Sequence, residues 1–217
     1  MSAPIRAAAT TADGTCWHCQ EPLATAVACT ACGAPQPLPS DVDLFAVLGV
    51  ARRLVVDAAD LERRYHDASR AVHPDRHQTA DDRMQALSLV ASSAVNRAYR
   101  VLRDPIERGR YWLAAHGEVL GRDNNTVPPA LAETVFETQE TLDDFRGARV
   151  GRDVVVRAHE TLASRLDGLV RELEARYATW DAADPSSGPV LAELKRRLSE
   201  IAYLNTLVDD ADEALGA

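Results

Sequence analysis

Residues 58–104 read AADLERRYHDASRAVHPDRHQTADDRMQALSLVASSAVNRAYRVLRD, and the order of signals within this stretch decides the fold. Leu61, Tyr65, Ala68 and Val72 recur at the spacing of one helix face. Asp57, just ahead of them, is a suitable N-cap. Arg63 and Arg70 fall on the opposite side of that helix, and Arg64 falls on its flank. His73-Pro74-Asp75 then interrupts the pattern. Pro74 has no amide hydrogen to continue the helix, and its ring pushes His73 out of the helical region. After a polar loop, Leu87, Ala91, Ala94, Ala98 and Leu102 form a second apolar face. Asp104-Pro105 closes that helix and opens another, with Asp as the cap and Pro at the first position. The spacing therefore predicts two antiparallel helices joined at His73–Asp75. A short helical turn runs from Asp43-Leu44-Phe45 to Gly49 before them, and a helix carrying Ile106 and Tyr111 to Leu113 follows. Together these make one helical segment over residues 42–117.

Downstream, residues 118–129 read as a linker, with Gly121, Asn124, Asn125 and two prolines. Three further stripes occupy residues 130–217. The first is Leu131, Val135, Leu142 and Phe145. The second is Leu162, Leu166, Leu169, Leu173 and Tyr177. The third is Leu191, Leu194, Leu198, Ile201 and Val208. Asp184-Pro185-Ser186-Ser187-Gly188-Pro189 breaks the chain between the last two. Three stripes with short connections predict a three-helix bundle. No strand alternation appears, so the expected fold is all-α, with cores built from Ala, Leu and Val, because aromatic residues make up only 5% of the chain.

Upstream, residues 1–15 read as disordered. Residues 16–39 hold two Cys-x-x-Cys pairs, Cys16/Cys19 and Cys29/Cys32, and then a spacer rich in proline (Pro35, Pro37, Pro39). Four thiolates in two such pairs suit one tetrahedral zinc. So short a segment has no core of its own, and metal ligation would supply its folding energy. Structural disulfides are the bland alternative, opposed by the lack of a secretion signal. An iron centre is a second alternative, and dithiol redox chemistry a third. The last is opposed by the absence of a βαβ pattern beside the cysteines. His18 is expected at the surface and Trp17 packed on the knuckle or its neighbour.

Charge narrows the partners. The net charge is −9, and it lies wholly after Gly117: residues 1–117 carry 13 arginines and 13 acids, residues 118–217 carry 11 basic residues and 20 acids. An acidic C-terminal half and a pI near 5.1 argue against nucleic acid. No apolar run approaches a membrane span. Lys195 is the only lysine, a bias that points to a GC-rich, bacterial coding sequence. His73 and Asp75 have no nucleophile, oxyanion device or cofactor motif near them in sequence, so catalysis by this chain is not expected. Arg63, Arg64, Arg70 and Arg76 border the turn. They read either as a solvated face or as a positive shoulder for an acidic partner surface.

With those residues in place, the chain resembles the J-domain family, and within it the HscB-type co-chaperones of iron–sulfur cluster assembly. The resemblance rests on His73-Pro74-Asp75 and on Asn96, Ala98, Tyr99, Leu102, Pro105, Arg108, Tyr111 and Leu113 at that branch's spacing. Ala115-His116-Gly117, Phe136-Glu137-x-x-Glu140 and Ile201-Ala202-Tyr203-Leu204-Asn205 extend it. The tetracysteine prefix resembles the metal-binding extension of eukaryotic members. Such a protein stimulates the ATPase of a DnaK/HscA-type chaperone and brings the iron–sulfur scaffold protein IscU to it. The resemblance implies chaperone contacts at His73, Pro74, Asp75, Arg63, Arg64, Arg70 and Arg76. It implies client contacts at Val135, Phe136, Gln139, Glu140, Asp143 and Tyr203, and zinc on Cys16, Cys19, Cys29 and Cys32. It also implies a bacterial cytoplasmic location, or the mitochondrial matrix in a eukaryote. Gln139 stands where the family is apolar, and His77 where an aromatic often follows. A J-domain protein with a different client, and a dithiol oxidoreductase, are the rival functions. Helical geometry adds one independent point. Phe136 lies about 100° beyond Val135 and Tyr203 about 180° from its own helix's stripe, so both are expected to be exposed.

Overall fold

The computed structural model describes residues 14–120 and 127–216. Most of the segment expected to be disordered, and the middle of the expected linker, lie outside those residues. The chain divides into two compact units at Gly117/Glu118. Among the described residues the secondary structure is helical apart from two isolated bridges near the N-terminus. No helix among them is long and apolar enough to cross a membrane.

In the first unit α1 (Leu44–Leu48) is capped by the Asp43 side chain and stopped by Gly49 at φ 64°. That left-handed value suits glycine, and the Arg64 guanidinium donates to the Gly49 carbonyl at 2.7 Å. The Asp57 carboxylate caps α2 (Ala58–Val72), as its position in sequence implies. A 3-10 turn follows over Pro74–His77, and then α3 (Asp82–Arg103), capped by Asp81. Helices α2 and α3 pack on each other, with Tyr65 stacked on Tyr99 at a ring separation of 4.2 Å. The buried face of α3 is Ser88, Ala91, Val95, Ala98 and Leu102. Leu87 and Ala94, expected in that stripe, are only half-buried at its edge. A serine takes the innermost place because its hydroxyl has a partner there, the Val72 carbonyl at 2.8 Å.

Asp104 caps α4 (Pro105–Ala115) through the amides of Ile106 and Glu107. Helix α4 clasps α1. The Tyr111 hydroxyl donates to Asp43 at 2.9 Å and accepts from the Leu44 amide at 3.0 Å. Burial and the Asp43 carboxylate push that phenol up to about 12.

The second unit is the expected three-helix bundle of α5 (Ala132–Arg146), α6 (Arg152–Ala182) and α7 (Gly188–Leu215). One core cluster joins Leu131, Leu162, Leu204 and Leu207, and another joins Leu142, Val155 and Ala211. Leu204, Leu207 and Ala211 take the place expected of Val208, which is half-buried. On α5, Thr138 is buried between the apolar positions. It can be, because its hydroxyl donates to the Thr134 carbonyl at 2.7 Å.

Candidate functional site

The His73–Asp75 turn sits at the end of α2 with its side chains in solvent. His73 leaves the helix in an extended conformation, φ −62° and ψ 130°, as a residue before proline must. Its imidazole folds back over the turn: Nδ1 accepts from the Asp75 amide at 3.2 Å. An accepting Nδ1 places the neutral ring's proton on Nε2. Gln78 donates to the Asp75 carboxylate at 3.1 Å. The side chains of His73 and Asp75 remain 52% and 73% exposed, so the turn is ordered from within yet open to a partner.

The arginines are less free than a row of positive charge suggests. Arg63 and Arg64 both bond Asp60, and Arg70 bonds Asp67. Helix α2 holds three arginines, Asp60, Asp67 and one glutamate, so its fixed charges cancel. The positive shoulder expected from the arginines alone is compensated on the same helix, because i+3 and i+4 neighbours lie side by side. Arg76 instead donates to the Arg70 carbonyl at 3.3 Å.

The four cysteines converge. All four sulfur atoms lie within 4.8 Å of one another, and Cys16–Cys32 and Cys19–Cys29 are each 3.7 Å apart. A disulfide needs about 2.05 Å. Zinc–sulfur bonds of about 2.3 Å in a tetrahedron give a sulfur–sulfur edge of about 3.8 Å. The cage therefore fits a four-coordinate thiophilic metal and not a pair of disulfides.

The two knuckles are built alike. In each, the residue four places after the first cysteine, Gln20 or Gly33, is left-handed and donates back to that cysteine's carbonyl. Gln36 and the His18 amide donate to the Cys16 sulfur at 3.3 and 3.4 Å. Burial works to raise Cys16, but these donors and the Cys19 amide outweigh it and bring the thiol down to about 6. Burial pushes Cys32 up to about 12. His18 is exposed, as expected. The knuckle docks on the start of α3. Met84 packs against its sulfur cluster, Arg83 lies over the Trp17 ring at 4.1 Å, and the Trp17 indole donates to the Pro35 carbonyl at 2.8 Å.

In the bundle, Phe136, Gln139, Glu140 and Asp143 share one exposed face of α5, and Phe136 is 70% exposed. Val135 and Tyr203 differ from them. Both are partly buried against the Leu131, Leu162, Leu204 and Leu207 cluster. Tyr203 is thus not the freely projecting side chain that its helical angle suggested. The stripe of α7 is wider than Leu191, Leu194, Leu198, Ile201 and Val208, and it reaches Tyr203 through Leu204 and Leu207. Periodicity also gave no sign of Leu89 and Val90, which are 61% and 50% exposed on α3. Their exposure follows from the face of α3 turning toward Ser88.

Comparison with known proteins agrees with this geometry. Residues 43–111 match the DnaJ domain family. The HscB co-chaperone homolog of Chromobacterium violaceum is 35% identical over 133 residues, 61% of this chain and 72% of that protein. The homolog of Aromatoleum aromaticum is 34% identical over 178 residues, 80% of this chain and 95% of that protein. The crystal structure of human co-chaperone protein HscB superposes with a TM-score of 0.68 at 21% identity, over 92% of this chain and 97% of that one. A DnaJ domain carrying an open His-Pro-Asp turn, in a chain alignable with nearly the full length of a co-chaperone, places this protein in the HscB family of J-domain co-chaperones.

Proposed function

We propose that this protein stimulates ATP hydrolysis by a DnaK/HscA-type chaperone and presents to it an iron–sulfur scaffold protein of the IscU type during cluster biogenesis. The observation that carries the first half is the His73–Asp75 turn, internally bonded and open to solvent at the end of a packed helix pair. The exposed face around Phe136 supports the second half, because a bulky aromatic left in water is a binding anchor. Val135 and Tyr203 border it from the bundle core. Joining the two surfaces on one chain raises the effective concentration of the client at the chaperone. The chain itself breaks no bond on this reading: it biases the partner toward its hydrolysing state. The tetracysteine cage is a structural zinc site, and the protein works in the bacterial cytoplasm.

A single-turnover ATPase assay with the cognate chaperone tests the proposal. Stimulation by the natural protein and loss of it in His73→Gln are expected. A His73→Gln chain that stimulates fully refutes the role of the turn. Loss of scaffold binding with intact stimulation would follow from changes confined to the Phe136 face.

A further inference from the structure

A polar cluster beside the turn, buried at Val72 and Ser88 and half-buried at Ser92, has no part in the proposed contacts. Helix α2 stops because Pro74 has no amide hydrogen. The next two amides also turn away from the helix end: Asp75 donates to His73 Nδ1 and Arg76 to the His73 carbonyl. The Val72 carbonyl, immediately before the turn, receives two hydroxyls from α3 instead. Ser88 donates at 2.8 Å and Ser92 at 3.0 Å. Ser88 has no exposed surface at all and stands on the stripe where α3 otherwise presents Ala91, Val95, Ala98 and Leu102. An apolar residue there would bury well, so the hydroxyl requires a reason. A buried carbonyl without a donor is costly, and a carbonyl held by two donors from a neighbouring helix is fixed in direction. The peptide plane that carries this carbonyl also sets the direction in which His73 leaves α2.

We propose that Ser88 and Ser92 are positioning residues for the His73–Asp75 turn, aiming it at the partner ATPase through the Val72 carbonyl. The inference rests on the proposed stimulation of that ATPase. A turn that wanders binds only in its competent conformer, so the half-saturating concentration rises as the competent fraction falls. The maximal stimulated rate at saturation is retained, because the bound conformer is unchanged.

The test compares Ser88→Ala/Ser92→Thr with Ser88→Ala/Ser92→Val in the full-length chain. Thr and Val have the same shape, and only Thr keeps a hydroxyl. The Val form should need roughly threefold to tenfold more protein for half-maximal stimulation than the Thr form, the range one hydrogen bond supports. Its maximal rate should match, and its amide NMR shifts should move at Asp75 and Arg76. Equal half-saturation for the two forms, or an equal fall in maximal rate with unmoved Asp75 and Arg76 signals, overturns the proposal. If the double changes do not fold, Ser92→Thr against Ser92→Val in an otherwise natural chain is judged by the same criteria, with at least a twofold difference expected. Failure of the natural protein to stimulate at all would instead refute the proposed function.

Discussion

Under the proposed function, replacing Phe136 with Ser should weaken scaffold binding and leave the fold intact. Phe136 is 70% exposed on α5. A large aromatic side chain offers about 200 Å² in all, so about 140 Å² of it is free for a partner to cover. At about 25 cal/mol per Å² this is worth about 3.5 kcal/mol when fully buried. Part of that is returned in ordering the ring and its surroundings, and truncation of a central interface aromatic costs about 2 kcal/mol or more. A loss of roughly thirtyfold in affinity is therefore expected. Little stability goes with it, because an exposed side chain away from the core moves stability by about 0.5 kcal/mol or less. Titration calorimetry with purified scaffold protein reads the affinity, and a thermal melt reads the fold. Leu89→Ser is the control, since Leu89 is 61% exposed but stands on α3. Unchanged affinity in Phe136→Ser, or an equal loss in Leu89→Ser, would refute the assignment of the client to the α5 face.

Two further outcomes follow from the first unit. Cys16→Ser, or treatment with a strong chelator, should remove one metal per chain by elemental analysis and shift tryptophan emission to the red. Trp112 and Trp180 are buried, so the change would report Trp17 leaving Pro35 and Arg83. Emission that stays put on metal loss would show that the cage does not hold the knuckle together. Tyr111→Phe should cost about 1–2 kcal/mol in denaturant melts near neutral pH, for loss of the bonds to Asp43 and Leu44. Its pH dependence has a definite sign. The folded phenol is pushed up to about 12, above the usual value of about 10. The unfolded chain thus loses its proton first, and the stability present below about pH 10 fades as pH climbs toward 12. The natural protein should lose more stability than the Phe variant across that window, and equal losses would count against the buried phenol.

The helix framework was legible because its punctuation is chemical and local. Asp57 and Asp104 cap the helices that their positions announce, and Pro74 and Pro105 stand at the two boundaries they predict. The metal cage was legible because two Cys-x-x-Cys pairs constrain four sulfurs strongly. Burial was legible only to within one helix position. Leu87 and Ala94 looked like core, yet Ser88 and Val95 are buried. A hydrophobicity pattern assigns serine to the surface, and only the position of the Val72 carbonyl explains why it lies inside. In the sequence His77 stands out only as a departure from an aromatic. It is buried, with Nε2 3.4 Å from the Ala71 carbonyl, so an imidazole fills the aromatic's place and adds a polar contact. Tyr203 was misjudged for a related reason. Its angle is measured from a stripe without Leu204 and Leu207, which widen the buried face of α7 toward it.

The compensated charge of α2 changes how docking on an ATPase must work under the proposed function. Long-range steering needs net charge, and the first 117 residues have none, with 13 arginines against 13 acids. Arg63, Arg64 and Arg70 are held by Asp60 and Asp67 in pairs that reach solvent. Such pairs are worth about 0–1 kcal/mol and are easily exchanged. An acidic partner surface can therefore take over these guanidinium groups at contact, with little cost and little attraction beforehand. The Val72 carbonyl is the opposite case. Its two hydroxyl donors come from a neighbouring helix, and both the carbonyl's own residue and Ser88 are fully buried. The division of labour follows from these energies: adjustable contacts lie along α2, and the geometry that must not vary is stored at its end, one residue before His73.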